Sequence, residues 1–259
     1  MITLPAVPTP RAFLALWNSV ASPAATLEYE AWHTFEHVPE RVGLPGFIEA
    51  RRYRAQPASD LHDAAPRYFT LYWLSSLEAL QTPQYQDVFT HPTPWSARMR
   101  RQLRAFMRQP CTLAATAGQS SASRLATLHW QVDDLATFSR YATQQLERSV
   151  TQADLVAAHW GLVSHDDDFP IANAPSAHTN KASKKPHAVL LLEHIDAAAL
   201  ALCAAKLSSD LSSAGTLLTP PDFFELLCQT RHSDLTQAPT GRPAPRLDLM
   251  QHYPEGDIK

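Results

Sequence analysis

A repeat constrains this chain more than any other feature. "RAFLALW" (Arg11 to Trp17) and "RLATLHW" (Arg124 to Trp130) both begin with Arg and end with Trp, and an amide follows each, Asn18 or Gln131. Both read as strands. After the first comes a helical segment from about Thr26 to Val42. After the second comes "DDLATFSRYATQQLERSV", where Asp133 or Asp134 can cap a helix expected to bury Leu135, Phe138, Tyr141 and Leu146. A chain that repeats strand then helix at this distance must house two similar units.

The parallel continues. "GFIEARRYR" and "LVAAHWGLV" read as second strands, and "RYFTLYWLSS" and "HAVLLLEHID" as third strands. Each third strand runs into an Ala/Leu-rich helix start, "LEAL" or "AAAL". Fourth strands follow at "CTLAATA" and "FFELLCQT". Each half is then β-α-β-β-α-β, the split βαβ order of ferredoxin-like domains. The expected fold class is α+β, two tandem ferredoxin-like repeats over residues 1–118 and 123–233, joined by the polar linker "GQSSAS" and followed by a tail, 234–259. Helices cover one face of each sheet. The other two faces are expected to pack together as a barrel-like core within one chain.

Bulk properties narrow the partners. A net charge of -3 over 259 residues offers no basic patch for nucleic acid. No apolar stretch approaches a membrane span, and "MITLPAVPTPRAF" does not read as a signal peptide. The cysteines, Cys111, Cys203 and Cys228, show neither a disulfide framework nor C-x-x-C spacing, which suits a cytoplasmic protein.

The run "EYEAWHTFEHVPERVGLPGFIEARRY" (Glu28 to Tyr53) carries Trp32, Glu36, His37 and Pro39, then Pro45-Gly46-Phe47 opening the second strand, then Arg52 and Tyr53. These 26 residues resemble the signature of the dimeric α/β-barrel superfamily, the EthD-like members and their uncharacterised relatives, here as a tandem fusion. The resemblance implies a cavity beside the first helix, with His37 as the polar group facing a small-molecule ligand. Members include cofactor-free monooxygenases, lactone isomerases, polyketide cyclases and haem-dependent enzymes, so the resemblance implies architecture better than reaction. Further pairing into a homodimer stays open.

"HTFEH" (His33 to His37) also fits the H-x-x-E-H spelling of a class of zinc peptidases. On a helix the two histidines lie about 40° apart around the axis, close enough to share a metal. Against this, Pro39 removes the hydrogen bond to the Phe35 carbonyl, the flanking "VPERVGLPGF" already matches the barrel family, and no third ligand stands out among scattered carboxylates such as Glu78. No metal is assigned. A helical wheel places Leu27, Ala31, Phe35, Val38 and Val42 on an apolar stripe, with His33, Glu36, His37 and Glu40 on the polar side. A site there needs a cover, from the loop 59–66, the loop 165–186 or the C-terminal tail.

The candidate catalytic residues are therefore His37, Glu36 and His33; the candidate substrate contacts are Trp17, Trp32, Arg52, Tyr53 and Tyr72. The leading expectation is a cofactor-free enzyme in which His37 transfers a proton to or from a small apolar or aromatic substrate: isomerase, cyclase, lyase or monooxygenase. The alternatives are a haem enzyme of the same superfamily and a non-catalytic ligand-binding or scaffold barrel. The second half lacks the histidine, proline and Pro-Gly-Phe of the first, so the two halves are expected to be functionally unequal.

Overall fold

The structure, a computed structural model, describes residues 9–55, 67–164, 185–235 and 242–253. The first half runs β1 (Ala12–Val20), α1 (Thr26–Trp32), a π turn (His33–His37), α2 (Val38–Val42), β2 (Phe47–Ala55), β3 (Arg67–Leu74), α3 (Pro83–Thr90), α4 (Pro94–Arg100) and β4 (Leu103–Gly118). The second runs β5 (Arg124–Val132), α5 (Leu135–Thr151), β6 (Ala157–Val163), β7 (His187–His194), α6 (Ala197–Leu211), β8 (Gly215–Leu217) and β9 (Asp222–Arg231); α7 (Leu247–Met250) lies in the tail. No described helix is long and apolar enough to cross a membrane.

Eight strands close into an antiparallel barrel in the order β4-β1-β3-β2-β9-β5-β7-β6, and β8 adds to β5. One seam joins β4 to β6 and the other joins β2 to β9. β4 is longer than the expected "CTLAATA". Its first part pairs with β1 up to Thr112, and its last part, from Cys111 on, pairs with β6. A full ring leaves no unpaired barrel edge.

Strand alternation sorts the side chains into two layers. Phe13, Ala15 and Trp17 of β1, Phe69, Leu71 and Trp73 of β3, Leu125, Val189, Leu191 and Phe224 fill the barrel. An eight-stranded barrel is just wide enough for side chains to fill. Contact across the interior is close: a Cβ at Gly161 would lie 2.5 Å from the Phe13 ring. Polar groups bridge the halves there too. Trp17 Nε1 donates to Thr127 Oγ1 at 3.3 Å, and Arg51 pairs with the buried Glu193 at 3.0 Å, whose other oxygen accepts from the Ala122 amide at 2.7 Å.

The alternate residues face outward under the helices. Leu128, Trp130, Trp160 and Leu190 pack under α5 and α6, while Leu14, Phe47, Tyr72 and Leu74 pack under α2 and α3. The stripe expected on α5 needs correction. Phe138 and Leu146 are buried together with Ala142 and Ser149, while Leu135 and Tyr141 are exposed. Asp134 caps the helix through the Ala136 amide and fixes its phase, so the buried line runs 138-142-146-149. α3 and α4 were not expected as separate helices. Each opens on proline behind a threonine whose hydroxyl accepts a backbone amide, Thr82 from Tyr85 and Thr93 from Ser96.

Candidate functional site

The first helix is not regular. Pro39 has no amide to donate, and just before it the Val38 amide reaches back five residues to the His33 carbonyl, closing a π turn over His33–His37. The inserted residue turns α2 relative to α1, and the expected polarity of the faces holds only in part. Leu27 and Phe35, placed on the apolar stripe by a regular wheel, are 74% and 54% exposed, whereas His33, Glu36, Glu40 and Arg41 are buried. Val38 and Val42 stay buried. Gly46 then adopts φ +85, which only glycine takes without strain, and this explains the Pro-Gly-Phe entry to β2.

The C-terminal tail supplies the cover. The Arg246 amide donates to Glu36 Oε2 at 2.7 Å, and Arg242 reaches Glu40 at 2.7 Å and Asp87 at 3.0 Å. Tyr253 stacks on Trp95 with centroids 6.0 Å apart. The loop 59–66, and nearly all of the loop 165–186, lie outside the described residues.

Beneath this cover the rings of Tyr29, His33 and His37 form a column, with successive centroids 5.1 and 5.0 Å apart and planes within 18°. Trp32 lies 4.4 Å from His37. His37 opens on a cavity between the helix and the outer face of β1, β3 and β4, lined by Leu14, Leu16, Trp32, Arg41, Phe47, Tyr72, Tyr85, Phe89, Arg100, Leu103, Phe106 and Arg108. The cavity is small, about 70 Å³. His37 is partly exposed, but its Nδ1 is out of solvent and has no hydrogen-bond partner; the same holds for the Nδ1 of His33, the Tyr72 hydroxyl and one nitrogen of Arg41, Nη2.

Electrostatics keep both imidazoles neutral. Burial pushes His37 well below its usual value, and Arg41, then His33 and Arg100, add to the shift. For His33 the causes are burial, then Arg52 and Arg41. Burial also raises the Tyr72 hydroxyl, so it remains a donor.

Of the eight sequence candidates, His37, Trp32 and Tyr72 line this cavity, and His33 stacks directly on His37. Glu36 is turned away: its Oε1 accepts from Thr93 Oγ1 at 2.5 Å and from Ser96 Oγ at 3.5 Å. Arg52 is engaged by Thr34 Oγ1 and the Glu30 carbonyl, with its guanidinium over the Tyr29 ring. Trp17 and Tyr53 face the barrel interior, because their odd positions on β1 and β2 select that layer. Arg41, Arg100, Arg108, Tyr85 and Phe106 had no place in the sequence reading. Arg41 was within reach, one turn past His37, but nothing local links Arg100 and Arg108 to the helix.

The histidine pair does not suit zinc. Nearly parallel stacked rings send their nitrogen lone pairs side by side instead of converging at about 2 Å on one ion. The intervening Glu36 is held by Thr93 and Arg246. Among the described residues no group of three His, Cys, Asp or Glu side chains is placed to hold a metal. Nor do these residues fit a haem. The His37 ring is wedged between Trp32 and His33, and the small cavity is walled by Tyr72, Phe47 and Tyr85.

The chain matches no family model and no curated protein. Among solved structures it is similar to an anthrone oxidase-like protein, with 10% identity over 90% of this chain and 99% of the other and a TM-score of 0.54. It is also similar to a candidate monooxygenase from Fusobacterium nucleatum subsp. nucleatum, with 6% identity over 86% and 95% and a TM-score of 0.51. A chlorite dismutase variant from Candidatus Nitrospira defluvii aligns over 85% and 93% at 9% identity, with a TM-score of 0.48. At these identities the likeness bears on the fold alone: a mixed α+β chain built around a closed eight-stranded antiparallel barrel.

Proposed function

We propose that this chain is a cofactor-independent enzyme that moves a proton to or from a small aromatic or apolar substrate, with the His37 imidazole as general base or acid. The observation that carries the reading is the state of His37: a neutral ring at a cavity wall, its Nδ1 without a partner inside the protein. A neutral imidazole can take a proton from an acidic C–H or a phenol. The C–H electron pair then stays on the substrate as an enolate, and the proton stays on the ring. Arg100 and Arg108 also line the cavity, and their positive charge favours the negative charge that develops. His33 stacks on His37 and holds its ring plane.

The fold neighbours named for oxidase and monooxygenase chemistry favour an aromatic substrate whose deprotonated form reacts further. The architecture behind this reading is a tandem fusion of two ferredoxin-like units, 1–118 and 123–233, with the EthD-like helix signature in the first. The strand orders β4-β1-β3-β2 and β9-β5-β7-β6 support it.

The test is a panel of C–H acids, anthrone among them, incubated with purified protein in D2O and followed for solvent deuterium uptake and oxygen consumption. Turnover by the wild type that falls at least a hundredfold in His37→Ala supports the reading. Turnover that survives in a folded His37→Ala protein contradicts it. An absorption spectrum with a Soret band would move the chemistry to haem.

A further inference from the structure

The lining of the cavity has an unbalanced charge. Three guanidiniums reach it, those of Arg41, Arg100 and Arg108. Glu40 accepts from Arg41 Nη1 at 2.9 Å and from Arg242 at 2.7 Å, and Arg242 also reaches Asp87 at 3.0 Å. Arg100 donates to the backbone carbonyls of Phe89 and Val88, at 3.0 and 2.9 Å. Its pKa is lowered to about 10 by burial and by the nearby Arg41 charge. Arg108 reaches the Tyr85 hydroxyl at 3.4 Å.

Arg41 is 3% exposed, and its Nη2 has no acceptor; the Tyr72 hydroxyl, also buried, has none either. Buried donors without an acceptor are costly unless a ligand completes them. The rest of the wall is Leu14, Leu16, Phe47, Leu103 and Phe106, which a hydrocarbon body would cover.

We infer that the ligand is a compact organic monoanion, a carboxylate on an aromatic or alicyclic body, with its anionic head on Arg41 Nη2 and the Tyr72 hydroxyl. This rests on the reading of the cavity as the substrate site and narrows it to a charge class. A phosphate dianion suits the site less, since most of the lining side chains are apolar. Arg41 carries the recognition, because its Nη2, left over from the pairing of Nη1 with Glu40, can give a carboxylate a charge-assisted hydrogen bond.

Binding can be read without turnover. Benzoate and cyclohexanecarboxylate are titrated into the full-length protein, with benzamide as the neutral counterpart and inorganic phosphate as the ion control. Calorimetry and the thermal midpoint are the readouts, a ligand of the native state raising the midpoint with its concentration. At least one carboxylate should bind ten times or more tightly than benzamide and than phosphate. Arg41→Met should remove that preference, and Tyr72→Phe should weaken the carboxylate about three- to tenfold. If Arg41→Met fails to fold, Tyr72→Phe and the benzoate-to-benzamide ratio in the wild type decide the matter. Equal binding of benzoate and benzamide, tighter phosphate, no carboxylate binding, or an unchanged preference in a folded Arg41→Met protein would each overturn the inference. His37→Ala separates the two readings. Carboxylate binding retained with turnover lost supports both, and carboxylate binding retained with turnover intact leaves the ligand class standing while the proton-transfer role fails.

Discussion

The imidazole rings of His33 and His37 stack with centroids 5.0 Å apart and an 18° angle between their planes, inside the one π turn of the chain's described helices. A spacing that on paper suits a shared metal instead produces a column of uncharged rings. That column has consequences for stability, for the tail and for catalysis.

The first consequence is a loss of stability in mild acid. His33 and His37 are held well below the ordinary histidine value, and His129 in the barrel, half-buried beside Trp17, is lowered to about 4 by desolvation. The unfolded chain takes up protons on these residues near pH 6.5 while the folded chain does not. Protons bound preferentially by the unfolded state lower stability as pH falls. The stabilisation is present above about pH 6.5 and drains away below it, by up to about 1.4 kcal/mol per pH unit for each group. Urea unfolding at pH 7 and pH 5.5 should therefore show a lower midpoint in acid, with a smaller drop in His129→Leu. Equal midpoints at the two pH values would count against buried neutral histidines.

The tail should be energetically part of the site. Glu36 ties the first helix to α4 through Thr93 and to the tail through the Arg246 amide. Replacing it with alanine leaves buried donors unpaired, at about 1–3 kcal/mol. Glu36→Ala should lower the urea midpoint and expose the tail after residue 241 to proteolysis, while Arg246→Ala, which keeps the backbone amide, should do neither. Proteolysis of the tail at the same rate in wild type and Glu36→Ala would show that the contact carries no weight.

Arg51 and Glu193 should behave as a coupled pair across the barrel. Their 3.0 Å contact lies in the interior, and Glu193 is fully buried. Removing one partner of a buried pair typically costs about 3–5 kcal/mol, an upper bound here because Glu193 also lies 3.5 Å from His159 Nε2 and Arg51 also pairs with Glu49 at 2.8 Å. Arg51→Met alone should therefore be much worse than the double substitution Arg51→Met, Glu193→Leu. A double-mutant cycle with no coupling would contradict this placement.

Much of the architecture was legible in the sequence because it is written in local patterns. The paired Arg-to-Trp strands, the period-2 alternation of β1 and β3, and the Pro-Gly-Phe entry to β2 all depend on near neighbours. The site was legible in part, through His37, Trp32 and Tyr72. What could not be read depends on one inserted helical residue and on contacts between distant parts of the chain. A regular 3.6-residue wheel with Leu27 on its apolar side sends His33, Glu36 and Glu40 to solvent; the structure buries them and leaves Leu27 and Phe35 out. Arg100 and Arg108 reach His37 only through the fold, and the seal from Arg242 and Arg246 comes from more than two hundred positions away.

The most direct test compares kcat/KM of His37→Ala and His159→Ala on whichever C–H acid the wild type turns over. His159 is also a buried histidine, but it faces the barrel interior, 4.9 Å from Trp73 and bonded to Thr116. With folding verified for both, His37→Ala should lose about a hundredfold to ten-thousandfold, and His159→Ala should stay within a fewfold of wild type. Near-normal turnover by His37→Ala, or a collapse confined to His159→Ala, would place the chemistry outside the first-helix cavity.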